Sequence, residues 1–256
     1  MAPVTSRQVR PARQTRGVTD DGAQAAVAAR VPGAAALGLL APPGAATVAA
    51  GRLADPEWTA QVLTARAVRQ RTQDRRVLAT LWWYSVSSVL LTPVLAGLAT
   101  GVRLSAELAD TRLHVVGGTP VAATTRAGRG DLGPELRAAL AAVVAATAEA
   151  GQMRERPLWA IATDSLANRL LAVGRAVGDV EAVTALAAPL AAAVGDPLPR
   201  PRYVDVAAPA GRAVRFTRRA SCCLLWQVPH EVVCTSCPRR DPVQRQVLLE
   251  DLAERM

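Results

Sequence analysis

Cys222-Cys223-Leu224-Leu225-Trp226-Gln227-Val228-Pro229-His230-Glu231-Val232-Val233-Cys234-Thr235-Ser236-Cys237 contains all four cysteines of a 256-residue chain, in the order C-C-x10-C-x2-C. A chain with no thiol elsewhere has no general use for them, so their concentration reads as one site. Four thiolates can close the coordination of a single metal ion or of a small iron–sulfur cluster. Between Cys223 and Cys234 two short apolar runs, Leu-Leu-Trp-Gln-Val and Val-Val, flank a turn-prone Pro229-His230-Glu231. That pattern predicts a hairpin that carries Cys223 back to Cys234, with Cys237 brought round in a local loop closed by Pro238. The alternating Arg212–Thr217 segment predicts a strand leading into Cys222.

Three occupants compete for the thiols. Structural zinc usually takes two separated C-x2-4-C or H-x3-5-H knuckles, and a vicinal pair cannot form one. A disulfide is disfavoured in a reducing compartment. A [2Fe–2S] cluster takes two thiolates per iron and so tolerates unusual spacing. Its four-thiolate form carries about −2 in the oxidised state. Arg212, Arg215, Arg218 and Arg219 precede the site and Arg239 and Arg240 follow it, so they read as cluster electrostatics or as solvated surface. Which two sulfurs share an iron stays open, because neighbours in an extended strand point opposite ways. His230, inside the cysteine loop, is an alternate ligand or a turn residue, and His114 reads as structural in its strand.

Outward from the site, the prolines at 197, 199, 201 and 209 with Gly211 mark the sharpest composition boundary. The expected organisation is an unstructured tail over 1–22, a helical substrate-binding domain over 23–195, a linker over 196–211 and a C-terminal cysteine module over 212–256. Within the body, Ala23–Val31 is expected to be a short helix followed by irregular chain to residue 51. Asp55-Pro56 opens a helix as capping residue and first position. The uncharged run 77–102 predicts a buried helical pair broken at Pro93. Arg112–Val116 and Thr119–Thr125 around Gly117-Gly118 predict a hairpin. Further helices are expected over 131–150, from 156 to about 174–178, over 179–194 and from Asp241-Pro242 onward, the last with Val243, Val247, Leu248 and Leu252 as its apolar stripe.

Composition bounds the function. The net charge is +9 and every basic residue is Arg. These arginines are scattered and no recognition helix or RNA-binding motif accompanies them, which argues against nucleic acid and for an anionic partner. Residues 1–22 lack an apolar region of the kind a signal peptide needs, and a reducing cytoplasm is the expected compartment. The 77–102 run is interrupted by Ser, Gly and Pro, which argues against an integral membrane span and leaves peripheral association open. No P-loop, haem-attachment motif or dinucleotide fingerprint is present. Electrons for a cluster must therefore come from outside the chain, from another protein such as a ferredoxin or a flavoprotein reductase, or from a small reductant.

The C-C-x10-C-x2-C pattern near the C-terminus, with Arg218-Arg219-Ala220-Ser221-Cys222-Cys223-Leu224-Leu225-Trp226, resembles the FhuF-like family of ferric iron (siderophore) reductases and its Arg-Arg-x-Ser-Cys-Cys block. A weaker similarity extends to Arg75-Arg76-Val77-Leu78-Ala79 with Trp82 and Tyr84, to Leu91-Thr92-Pro93-Val94-Leu95, and to Leu158-Trp159 with Ser165 and Leu166. Pro229-His230-Glu231 departs from the family, whose members often carry Gly in that turn. The resemblance implies a [2Fe–2S] cluster on Cys222, Cys223, Cys234 and Cys237. It implies one-electron reduction of siderophore-bound Fe(III), hydroxamate type favoured, with no catalytic side chain beyond the cluster. Trp83 or Tyr84 is the candidate contact to the siderophore, with Arg75 or Arg76 answering its charge. The alternative is a protein whose four-Cys iron–sulfur or zinc site is structural or sensory. The expected fold is α+β, mainly helical: a helical substrate-binding body with a small β-hairpin, plus a small C-terminal iron–sulfur module.

Overall fold

A computed structural model describes residues 22–229 and 231–256. The expected tail, except Gly22, and the alternatives for His230 lie outside the described residues. The fold is mainly helical α+β, and α1 (Gly22–Ala28) begins the described chain.

Two helices form the body's axis. In α3 (Arg75–Thr100) Asp74 caps the start by accepting from the backbone N–H groups of Arg76 and Val77, and Gly101 ends the helix in the left-handed region at φ 71. Its principal partner is α5 (Arg156–Val177). Small polar residues let the pair approach closely: the hydroxyls of Ser87 and Ser165, both buried, are 2.7 Å apart. Around them lie α2 (Pro56–Gln70), α4 (Leu132–Ala150), α6 (Val180–Ala185) and α7 (Ala187–Val194). Asp55 caps α2 as expected, accepting from the N–H groups of Glu57 and Trp58. The core includes Trp83, Leu91, Leu95, Leu140, Leu158, Ile161 and Leu166, each large apolar side chain contributing roughly 1.5–3 kcal/mol on burial.

The expected uncharged helical pair is instead one helix, with Pro93 in its interior. Pro93 has no N–H to offer the carbonyl four residues back, yet hydroxyls reinforce the surrounding turns: Thr80 donates to Arg76 O, Ser85 to Leu81 O and Thr92 to Ser88 O. Pro93 and its neighbours are buried on all sides, so packing outweighs the local cost. By length and composition α3 could cross a membrane, but 78% of its apolar window is buried within the protein.

The expected hairpin is β2 (Arg112–Val116) and β3 (Thr119–Thr124). Gly117 and Gly118 supply φ 54 and 73, as a tight two-residue hairpin turn requires. A third strand, β1 (Ala46–Ala49), pairs antiparallel with β2 inside a stretch expected to be irregular. The segment expected to be one helix over 179–194 is divided at Leu186 between α6 and α7.

Residues 203–207, within the stretch expected to link body and module, form β4 (Tyr203–Ala207). It pairs antiparallel with β5 (Ala213–Thr217), the strand expected before Cys222. The final helix α8 (Pro242–Glu254), capped by Asp241, closes a small separate core of Val206, Val214, Phe216, Leu249 and Ala253. Its apolar stripe differs from the expected one. Only the C-terminal half leans on the hairpin, so Leu249 and Ala253 are buried while Val243 and Val247 are exposed.

Candidate iron–sulfur site

The cysteine loop leaves β5 at Thr217 and crosses the N-terminal half of α3. Among the described residues no hairpin forms between Cys223 and Cys234. Leu224 takes left-handed backbone at φ 60, and a single 3-10 turn, Leu225–Gln227, follows. The reason lies in what the apolar residues pack on. Leu224, Leu225 and Val228 cluster with Val77 and Leu81 of α3, so side chains that would line a hairpin are drawn onto a helix. Arg240 holds the other end: its guanidinium donates to the carbonyls of Val233 and Cys234, and the Cys237 N–H closes the Cys234–Cys237 turn on Cys234 O at 3.1 Å.

All four cysteines are free; Cys223 and Cys237 are buried, Cys222 and Cys234 half-buried. The Cys223 thiol interacts with that of Cys234, and the Cys222 thiol with those of Cys237 and Cys223. Backbone N–H groups two residues ahead also face sulfur, Leu224 toward Cys222 and Leu225 toward Cys223. Among the described residues no three His, Cys, Asp or Glu side chains group as one ion requires.

The shared hydrogen bond with Cys234 is the main cause that pulls the Cys223 thiol below its ordinary range; the Leu225 N–H and Arg219 add to it, and burial opposes it. The same bond, with burial, pushes the Cys234 thiol up. Burial raises Cys222, partly offset by the Leu224 N–H. The site therefore favours negative charge on sulfur at Cys223, the state in which a thiol binds metal.

Of the six arginines that flank the cysteines in sequence, Arg219 is the one placed against their sulfurs among the described residues. Arg218 is exposed. Arg219 is 8% exposed, and its Nη1 lies 3.1 Å from Cys234 Sγ and 3.9 Å from Cys223 Sγ. The Tyr84 ring lies beneath its guanidinium, 5.2 Å away. Burial works against the charge of Arg219, but Tyr84, the two cysteines and Asp164 more than compensate and raise its pKa. The remaining arginines have other partners: Arg215 pairs with Asp205, and Arg239 stacks over the exposed Trp226 at 4.5 Å.

Asp164, on α5, was not legible as a site residue. It is 1% exposed and accepts from Ala220 N at 2.7 Å, Ser221 N at 3.0 Å and Ser221 Oγ at 2.5 Å, with Arg219 Nε at 3.5 Å. The available signal was its place as the single acid between Arg156 and Val177, next to Ser165 in a helix whose neighbouring residues are apolar; a charge there demands a buried partner.

The four residues expected to meet substrate separate in space. Trp83 is fully buried and donates from Nε1 to Leu158 O at 2.8 Å, so it is a core residue and presents nothing to a ligand. Tyr84 lies by the Cys223 and Cys234 thiols. Arg75 and Arg76 are exposed at the start of α3, and Arg76 lines an open cleft of about 950 Å³ with Glu149, Met153, Arg154 and Glu155.

Four free thiols in one loop seated on a helical body make a candidate site for a metal ion or an iron–sulfur cluster. Residues 219–239 match the family model described as the FhuF 2Fe-2S C-terminal domain, a span that includes all four cysteines and Arg219. The likeness read from the cysteine spacing is borne out over that segment. No curated protein and no solved structure matches the chain.

Proposed function

We propose that this chain is a ferric-siderophore reductase, in which Cys222, Cys223, Cys234 and Cys237 hold a [2Fe–2S] cluster and a siderophore-bound Fe(III) is the substrate. The observation that carries the reading is the match of residues 219–239 to a 2Fe-2S domain, over a loop that holds four free thiols and sets a buried arginine against two of them. Such a cluster supplies one electron at a time at low potential, about −400 mV for four-cysteine centres of the plant type. Hydroxamate oxygens are hard anionic donors that hold Fe(III) tightly and Fe(II) poorly, so a single electron turns a trapped ion into a releasable one. The substrate needs no covalent bond broken.

The chain's own residues bind and orient. The cysteines fix the electron's entry and exit point, Arg219 places a permanent positive charge on the sulfurs, and α3 and α5 cover one face with Tyr84 and Asp164. Tyr84 is the residue best placed to meet a chelate that approaches this edge, and Arg75 and Arg76 offer charge at the start of the same helix. The electron donor is a separate protein such as a ferredoxin or flavoprotein reductase, and the reaction belongs in the cytoplasm, where imported chelates are opened.

The test is anaerobic purification followed by absorption spectroscopy and iron and sulfide analysis. We expect a red-brown protein, bleached by dithionite, that reduces a ferric hydroxamate when given a competent donor. A colourless protein carrying one zinc overturns the reading. A bleachable cluster that passes no electron to any ferric chelate reassigns the site to a structural or sensory role.

A further inference from the structure

Asp164 and Arg219 lie 55 residues apart in sequence and meet at the candidate site, both buried. The carboxylate takes hydrogen bonds from Ala220 N, Ser221 N and Ser221 Oγ, and so fixes the two residues immediately before Cys222. Its Oδ2 also faces Arg219 Nε. With that edge of the guanidinium turned toward Asp164 and its face over Tyr84, Nη1 is directed at Cys234 and Cys223. The remaining nitrogen, Nη2, is buried and has no partner among the described residues.

The four thiols therefore differ in their surroundings. Cys223 and Cys234 receive a buried cation. Among the described residues no cationic side chain donates to the sulfur of Cys222 or Cys237; Arg240 and Arg245 bond backbone carbonyls of the loop instead. Hydrogen bonds to cluster sulfurs and nearby positive charge favour the reduced, more negative state of the metal they serve.

We propose that Asp164 is a positioning residue that seats Arg219 against the sulfurs of Cys223 and Cys234, so that the negative charge an added electron brings would be stabilised at those two ligands. The inference rests on the cluster proposed above and deepens it by distinguishing its ligands. The balance is simple: an external donor would lose one electron, the site would gain it, and no proton or bond is transferred. Arg219 is cationic throughout and stabilises the added charge. The Ser221 hydroxyl and the two loop amides hold the carboxylate in turn.

The sign of one measurement separates positioning from a bare charge effect. The cluster-loaded protein is titrated spectroelectrochemically without any ferric chelate, so the outcome does not depend on reductase activity. Arg219→Gln should lower the midpoint potential. Asp164→Asn should lower it as well, because Arg219 loses its seat; a carboxylate acting only through its own negative charge would raise the potential when removed. Arg219→Lys, which keeps the charge and loses the fork, should fall less than Arg219→Gln. The difference between the ligands is read from Cys234→Ser and Cys222→Ser: the harder oxygen ligand should lower the potential and change the electron paramagnetic resonance g-values more at Cys234. An unchanged or raised potential in Asp164→Asn, or an equal or larger effect at Cys222, overturns the proposal while leaving the reductase reading standing. If Asp164→Asn does not retain its cluster, the Arg219 and cysteine variants decide alone, and equal potentials in Arg219→Gln and the unaltered protein overturn it.

Discussion

Trp83 and Tyr84 stand side by side in sequence and do opposite work. One residue apart on α3, they point about 100° away from each other, and that rotation sends the indole into the core and the phenol to the thiols. Both were legible as aromatic anchors, but the direction each takes depends on where α5 and the cysteine loop lie, which the spacing within α3 does not encode. Trp83→Phe should therefore destabilise the fold by about 1–3 kcal/mol, through the lost bond to Leu158 O and the small void left behind, and leave cluster content unchanged. Urea denaturation paired with iron analysis checks this. A variant of unaltered stability that fails to bind a ferric chelate would restore Trp83 as a ligand contact. The same reasoning explains why the cysteines were legible and Asp164 was not. Four thiols in 16 residues announce themselves by spacing, whereas a lone carboxylate acquires meaning only when the fold brings residues 219–221 against it.

Elements were legible where a local chemical signal starts or stops them. Asp55-Pro56 and Asp241-Pro242 cap α2 and α8 as read, and Gly117-Gly118 turns β2 into β3. Elements that depend on distant partners were not. The β1 strand is an ordinary Ala-Thr-Val-Ala until β2 supplies its hydrogen bonds, and α3 continues through Pro93 because the core surrounds it. The three-stranded sheet carries its own titration. His114 on the central strand lies 3.3 Å from Thr47 Oγ1 through Nδ1 and 2.9 Å from Thr124 Oγ1 through Nε2, joining β2 to both neighbours. Burial lowers its pKa from the ordinary 6.5, so the folded state prefers the neutral ring. A group depressed on folding contributes stability that is fully present above its unfolded pKa and is lost as pH falls through the folded value. Acidification from about pH 7.5 to about pH 5 should lower the urea midpoint of the unaltered protein, and His114→Gln should reduce that drop. An equal drop in both proteins would show that His114 is not the group responsible.

At the scale of the molecule, the body and the cysteine loop share a seam that decides how long a cluster stays bound. Val77, Leu81 and Tyr84 recur at helical spacing along α3 and face the loop, and Asp164 answers from α5. The hairpin that precedes the loop is tied down separately: Tyr203 Oη donates to Ala167 O at 3.1 Å, and Arg175 Nη2 donates to Arg215 O at 2.7 Å. Damage to the seam should thus loosen the loop while β4, β5 and α8 keep their own small core. Leu81 tests this, because it is buried in one apolar cluster with Val228 and makes neither the Asp164 nor the Arg219 contacts. Leu81→Ala removes apolar contact on one side of the loop, at a cost of about 2 kcal/mol or more. That loss falls on the loop's attachment, so the thiols of the 222–237 stretch should separate more often and expose the cluster to solvent. The expected outcome is faster bleaching of the visible spectrum in air or with chelator, with far-ultraviolet circular dichroism unchanged. Bleaching at the unaltered rate would mean that the polar clamp through Asp164 alone holds the loop; loss of helical signal together with colour would mean that Leu81 serves the body's core and the seam has no separate role.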